Sequence, residues 1–282
     1  MNDPKVIGID LGATNVRGAV VIEGTLLHIE AARIHSDGSV EEVLNDIYQV
    51  VDKLMEEDVV AIGIGVPSVV DVRQGIVYDV LYIPSWVEVP LKRLMEQRYN
   101  VPVFVNNDAN CFAVGEYHFG KGKGADSMIG LTLGTGVGAG VIINKKLYAG
   151  YNCGAGEFGC LDYRDNILEY YASGSFFKNV YGLDGTKVFE DAQKGDKRAL
   201  ELYAELGTHI GNGIKMVMYA VDPELIILGG SVRMAYNYFQ ETMWEAVRTF
   251  MYTKSLERIR IGVSDLQNSG ILGAAALYYD AQ

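Results

Sequence analysis

Ile7-Gly-Ile-Asp-Leu-Gly12 and Ile129-Gly-Leu-Thr-Leu-Gly134 decide the fold. Both are short runs that close on a polar residue, a leucine and a glycine, and each continues in the same way. A Gly/Thr turn follows, then a second apolar run at residues 16–22 or 137–143. A short third run comes next, at residues 26–30 or 146–149. Apolar, β-branched runs bounded by glycine-rich turns read as strands. The chain therefore carries an internal repeat, with one strand–turn–strand–turn–strand unit opening each half.

The halves go on in the same order. Residues 40–55 put Val43, Leu44, Ile47, Val50, Val51 and Leu54 on one helical face. Residues 59–66 read as a buried strand ended by Pro67, 91–98 as a short helix, 103–105 as a strand, and 111–117 as the start of another helix. In the second half, 199–219 is a long helix and 225–228 a buried strand running into Gly229-Gly230. Residues 236–250 read as helix, 258–263 as strand and 270–279 as a closing helix. A three-strand meander followed by alternating helix and strand, performed twice, implies an α/β protein. Its two mixed sheets are flanked by helices. Residues 151–195 stand outside the repeat and are rich in Gly, Asp and aromatics. The expected division is 1–118 with 270–282 in one domain and 119–269, carrying the insertion 151–195, in the other. The boundary falls in the Gly/Lys stretch 120–126, and the closing helix packs back on the first domain.

Charge narrows the partners. Against 24 Lys and Arg stand 36 Asp and Glu, a net charge of −12. That argues against a nucleic-acid or anionic-membrane surface. No apolar run approaches the ~18 residues that cross a bilayer. The strand pattern has begun by Lys5, so no signal peptide is expected. Three widely spaced cysteines, Cys111, Cys153 and Cys160, suit a reducing compartment, and a cytoplasmic protein is expected. The histidines, His28, His35, His118 and His209, read as structural or exposed.

Five stretches carry chemistry. In Asp10-Leu-Gly-Ala-Thr-Asn-Val-Arg-Gly18, Asp10 ends a strand and Gly12 permits a tight turn. Backbone N–H groups there, with the Thr14 hydroxyl, suit phosphate oxygens. An acid beside a phosphate implies a cation between them, so Asp10 points to Mg²⁺, partly through water. Without a ligand the same stretch would be a plain hairpin with an Asx-turn. Gly134-Thr-Gly-Val-Gly-Ala-Gly140 fits a dinucleotide pattern, but that motif needs a helix directly afterwards and a strand follows here. The reading that remains is a phosphate-holding hairpin turn at Thr135 and Gly136. No Walker-type P-loop is present.

Val105-Asn-Asn-Asp-Ala-Asn110 places a polar cluster after a buried strand and before a helix, where open α/β sheets bind ligands. Asp108 can accept a hydroxyl proton and Asn107 can bond a neighbouring hydroxyl; both residue types also serve as helix caps. Gly154-Ala-Gly-Glu-Phe-Gly-Cys160 and Leu168-Glu-Tyr-Tyr-Ala-Ser-Gly174 supply Glu157 and Glu169, whose carboxylates suit pairs of sugar hydroxyls. Ile226-Ile-Leu-Gly-Gly-Ser231 ends a buried strand in glycines that admit a flat ring.

Together these stretches resemble the ROK family of repressors and sugar kinases, within the actin, hexokinase and heat-shock chaperone ATPase superfamily. The resemblance runs from Asp10-Leu-Gly-Ala-Thr to Gly270-Ile-Leu-Gly-Ala-Ala. It implies two ribonuclease-H-like domains enclosing a cleft, ATP and Mg²⁺ as cofactors, a hexose substrate and a homodimer. It implies Asp108 as catalytic base, Asn107, Glu157 and Glu169 as sugar ligands, and Gly12, Thr14, Thr135 and Gly136 as phosphate contacts. Gly229, Gly230 and Ser231 take the adenosine. Gly65-Val-Pro67 matches a stretch near the sugar, with Ser68 where the family has Gly. Cys160 stands where the family has a sugar-binding and zinc-binding His, and the Cys-rich zinc loop is absent. Zinc is therefore not expected, and packing by Phe158, Leu161, Tyr163 and Ile167 is expected to hold the loop. A repressor of the family needs a helix-turn-helix before Asp10, so a kinase acting on O6 is expected, with glucose first and N-acetylmannosamine, fructose or allose as alternatives. A non-catalytic sugar sensor is the competing reading.

Overall fold

A computed structural model provides the architecture and describes residues 3–282. The first half runs β1 (Lys5–Leu11), β2 (Asn15–Ile22), β3 (Thr25–Arg33), α1 (Val40–Leu54) and β4 (Val59–Val66). The short strands β5 (Val69–Asp71), β6 (Ile76–Tyr78) and β7 (Glu88–Val89) follow, then α2 (Leu91–Tyr99), β8 (Val103–Asn107) and α3 (Asp108–Phe119). The second half opens with β9 (Ser127–Leu133), β10 (Val137–Ile143) and β11 (Lys146–Leu147). A small hairpin, β12 (Asp162–Tyr163) and β13 (Asn166–Ile167), leads into α4 (Leu168–Ala172), α5 (Phe176–Tyr181) and α6 (Gly185–Gln193). The long α7 (Lys197–Val221), β14 (Leu225–Gly229), α8 (Tyr236–Val247), α9 (Thr253–Arg258), β15 (Arg260–Val263) and α10 (Ser269–Asp280) complete it.

The strand orders are β3-β2-β1-β4-β8 and β11-β10-β9-β14-β15, so the repeat read in the sequence is a repeat of architecture. In the first sheet β1, β4 and β8 are parallel while β2 and β3 run antiparallel. In the second, β9, β14 and β15 are parallel and β10 pairs antiparallel with β11. Both sheets are mixed and flanked by helices, as the order of elements implied.

Two compact units result. One comprises the chain up to Gly124 with Gly140–Ala155 and Asp265–Gln282; the other comprises Ala125–Ala139 and Gly156–Ser264. The sequence reading had put residues 140–155 wholly in the second domain. Their contacts explain the difference: a Cβ on Gly140 would stand 2.5 Å from the Ala113 Cβ on α3. Lys146 Nζ donates to the Asp280 carbonyl at 2.7 Å.

In the first unit α1 starts on a capping box, with Ser39 and Glu42 each satisfying the other's backbone N–H. Its Val43, Leu44, Ile47, Val50, Val51 and Leu54 are buried with Ile7, Ile9 and Ile64 of the sheet. On the other face Ile271, Leu272 and Ala275 of α10 pack with Val6, Ala19, Val21 and Ala61. In the second unit α7 begins at an Asp196 N-cap, and every residue of β14 is buried.

One expected strand start moves. Residue 258 ends α9, and β15 begins at Arg260. Helix α9 buries no residue, so it has no apolar stripe for a periodicity reading to find. The bracing of the loop after Glu157 also differs. Phe158 is buried, but Leu161 is 43% exposed. Tyr163, one of the four residues expected to hold the loop, also anchors it by polar contacts: its hydroxyl bonds His209 Nδ1 and accepts from Asn212 Nδ2, both at 3.0 Å. Its ring packs edge-on against Tyr171.

Candidate active site

The β8–α3 junction carries the candidate base of the first unit. Asn107 is the N-cap of α3, its side chain accepting the Ala109 N–H at 2.9 Å. Asp108 is the first helical residue, exposed, and its carboxylate accepts the same N–H at 2.8 Å. Both side chains therefore accept the same N–H at the start of the helix. Asn107 caps, and Asp108 stands at the helix end whose partial positive charge favours a carboxylate. Asn107 Nδ2 also donates to the Ser68 carbonyl at 3.3 Å. The Ser68 hydroxyl donates to the Tyr78 carbonyl, so Ser68 ties the exit of β4 to β6.

Beneath them lies a buried polar knot. Asn106 Oδ1 accepts from the Asn107 N–H and Asn110 Nδ2, each at 2.9 Å, and from the Cys153 thiol at 3.4 Å. Cys111 is buried beside the knot. Burial pushes its thiol well up, and the charges of Asp108 and Asp10 add to the shift. Both carboxylates therefore lie close to one thiol of α3.

Asp10, at the end of β1, is paired across the sheet with Arg17. Burial raises its carboxyl above the ordinary range, with Arg17 opposing. In the following turn the Gly12 N–H donates to the Asn15 carbonyl at 2.9 Å and Ile34 donates to the Thr14 carbonyl at 2.8 Å. The Gly12 N–H therefore closes the hairpin, while Thr14 is exposed at its tip.

In the second unit the β9–β10 turn is held by the insertion. Gly174 N–H donates to the Gly134 carbonyl at 2.7 Å, and Ser175 Oγ to the Thr135 carbonyl at 2.7 Å. Glu169 Oε2 accepts the Val137 N–H at 2.8 Å. A Cβ at Gly136 would stand 2.3 Å from that same oxygen, so this position must be glycine for the carboxylate to sit there. Glu157 is exposed and accepts from the Cys160 thiol at 3.9 Å. Burial raises the Cys160 thiol, and the charges of Glu157 and Glu169 raise it further. Glu157 and Cys160 of one motif thus lie near Glu169 of the next.

A cavity of about 710 Å³ opens beside that turn, within the range of small-molecule sites. Thr135 lines one side and Ser231, just beyond β14, another. Gly230 takes φ +74, and a Cβ there would meet the Leu133 carbonyl at 2.2 Å. Arg233 fixes the bend by donating to the Gly230 carbonyl at 2.8 Å. The apolar wall is Phe177, Phe189 and Tyr203, which the sequence reading did not assign to any site. The signal was there in the aromatic-rich insertion and in Gly182-Leu-Asp-Gly185, which lines the cavity too.

The donor sets bear on metals. Mg²⁺ is usually held by one or two carboxylates together with phosphates and water. Asp10, a carboxylate whose burial is only partly offset by Arg17, fits that pattern. Zinc needs about four ligands. Cys153 belongs to the first unit and bonds Asn106 and Asn110, while Cys160 bonds Glu157. Among the described residues no group of three or more His, Cys, Asp or Glu is placed to hold a metal ion. No helix among them is long and apolar enough to cross a membrane.

Known proteins resemble this chain along nearly its whole length. The Thermotoga maritima glucokinase is 28% identical, covering 97% of this chain and 96% of its own. The xylose repressor of Caldicellulosiruptor bescii is 26% identical over 97% of this chain and 77% of its own. Among solved structures, a ROK family glucokinase from Streptomyces griseus in complex with glucose and AMPPNP is 30% identical. It aligns over 97% of this chain and 98% of its own with a TM-score of 0.78. The family model described as ROK family matches residues 6–281. The chain belongs to the ROK family.

Proposed function

We propose that the protein is an ATP-dependent hexose kinase that transfers the γ-phosphoryl group to O6, with glucose as the first candidate acceptor. The observation that carries this reading is the β8–α3 junction, where the exposed Asp108 stands beside Asn107 at a helix N-terminus. The Streptomyces griseus relative, solved with glucose and AMPPNP, supports both substrates.

The roles follow from the residues. Asp108 takes the proton of the attacking hydroxyl as its oxygen bonds the γ-phosphorus. The bond to the bridging oxygen breaks, and ADP leaves with that electron pair. Asn107, Glu157 and Glu169 hold other sugar hydroxyls, and the protonated Cys160 thiol stands where the family has a histidine. Thr14, Thr135 and Gly136 contact phosphate, with Gly12 shaping its turn. The adenosine lies in the cavity between Ser231 and Phe177, with Gly229 and Gly230 at its strand end. Asp10 would hold Mg²⁺, which when bound neutralises phosphate charge. Positioning and charge neutralisation are most of the catalysis in phosphoryl transfer.

A second reading, a sugar sensor without catalysis, draws on Cys160 in the histidine position and on repressors among the relatives. Exposed Asp108 favours the kinase. Transfer of ³²P from labelled ATP to a panel of glucose, N-acetylmannosamine, fructose and allose separates them. A kinase labels at least one sugar, and a sensor binds sugar and labels none.

A further inference from the structure

The first unit contains a second cavity, of about 910 Å³, at the upper end of the ~300–1,000 Å³ usual for small-molecule sites. One wall is the β5–β6 hairpin from Ser68 to Asp79, and the other is the segment from Leu147 to Asn152. Ser68 joins it to the reactive junction, because its carbonyl accepts Asn107 Nδ2. Neither Asn107 nor Asp108 lines the cavity, which neighbours them through Ser68.

Two tyrosines here have no part in the core. Tyr151 is 92% exposed and Tyr148 is 56% exposed. Both line the cavity, so two aromatic rings stand at its wall instead of in the core. The segment is braced: Tyr148 N–H donates to the Val141 carbonyl at 2.8 Å and Ala155 N–H to the Ala149 carbonyl at 3.1 Å. Cys153 adopts φ +59, a left-handed conformation that a side chain tolerates only when its surroundings impose it. Asn106 and Asn110 do so, bonding its buried sulfur at 3.4 and 3.5 Å. The knot under Asp108 thus also sets the segment that presents the tyrosines.

The rim of the cavity is polar. Asp71 is aimed by the N–H groups of Gln74 and Arg73, each at 3.0 Å, and by Gln74 Nε2 at 2.8 Å; the Gln74 bonds foremost hold its carboxyl below the ordinary range. Asp79 and Asn152 add further acceptors. A pyranose has C–H faces and a hydroxyl rim, which match tyrosine rings and fixed oxygen acceptors. An anionic ligand would meet two carboxylates, Asp71 and Asp79, against Arg73.

We propose that this cavity is a second glycosyl subsite, so that the acceptor class includes neutral disaccharides and other glycosides as well as free hexose. The inference rests on the hexose-kinase reading for the acceptor end alone. Calorimetry with cellobiose, maltose and the free hexoses of the panel tests it, on the wild-type chain and on Tyr148→Ala and Tyr151→Ala. At least one disaccharide should bind roughly tenfold more tightly than its parent hexose, the size of one good aromatic contact. Each substitution should remove most of that gain and leave hexose affinity within about twofold, since both side chains are exposed. No disaccharide binding more tightly than its parent, or a gain that survives both substitutions, overturns the proposal. Failure of phosphoryl transfer to every sugar would strike the kinase reading and leave this binding comparison to be read independently.

Discussion

Gly136→Ala tests how the proposed phosphate turn and the proposed sugar-binding carboxylate are joined. The new Cβ would stand 2.3 Å from Glu169 Oε2 and 3.1 Å from its Cδ. Those atoms are the far end of a flexible side chain, so the carboxylate moves and the backbone stays. What is lost is the 2.8 Å bond from the Val137 N–H. A hydrogen bond to a charged acceptor contributes about 1.5–3 kcal/mol. Glu169 is only half-buried, so the loss should lie at the low end, about 1.5 kcal/mol. For a chain of this size that lowers Tm by about 2–6 °C. A displaced Glu169 also loses its grip on a sugar hydroxyl, raising the sugar KM about tenfold. Thermal melts and steady-state kinetics on Gly136→Ala, Glu169→Ala and the double variant provide the assay. Because the clash is with the carboxylate itself, the double variant should match Glu169→Ala alone. Additive losses in the double variant, or a wild-type KM in Gly136→Ala, would refute the reasoning.

Other outcomes follow from single groups. Asp10→Asn should cut transfer by roughly 10–100-fold, the usual loss when an outer partner of a metal is neutralised. It should also raise stability at neutral pH. Burial raises the Asp10 carboxyl in the fold, so the folded state binds more protons than the unfolded one, and stability falls as pH climbs from about 4 through the folded value. The Asn variant should lose that part of the decline in pH-dependent melts, and an unchanged profile would contradict the assignment. Elemental analysis of protein purified without chelator should find no stoichiometric zinc. One equivalent per chain, with activity lost on its removal, would mean that the loop after Glu157 holds metal instead of relying on Tyr163.

Much of the fold was legible because periodicity reports burial. The α1 face and the buried strand at Ile226 both announce themselves in that way. Helix α9 did not, since it buries no residue fully. The unit assignment of residues 140–155 was illegible for another reason. It depends on Gly140 lying against Ala113 and on Cys153 reaching Asn106, contacts far apart in sequence. At the candidate site, the motifs named Asp108, Glu157 and Glu169, but not their partners. That Glu169 bonds the turn at Val137, or that Gly12 directs its N–H inward, depends on tertiary placement that no local pattern encodes. The aromatic wall at Phe177, Phe189 and Tyr203 lies on three separate helices, α5, α6 and α7, and only folding assembles it.

The central claim is that Asp108 is the general base of a sugar kinase. The direct measurement is single-turnover transfer of ³²P from labelled ATP to the preferred hexose by wild-type and Asp108→Asn protein, with sugar affinity measured on the same samples. The exposed position of Asp108 means that the amide should fold normally. Transfer should fall by about 10²–10⁴-fold while sugar still binds. Transfer within a few-fold of wild type would remove Asp108 from the mechanism, and with it the account of how this site works.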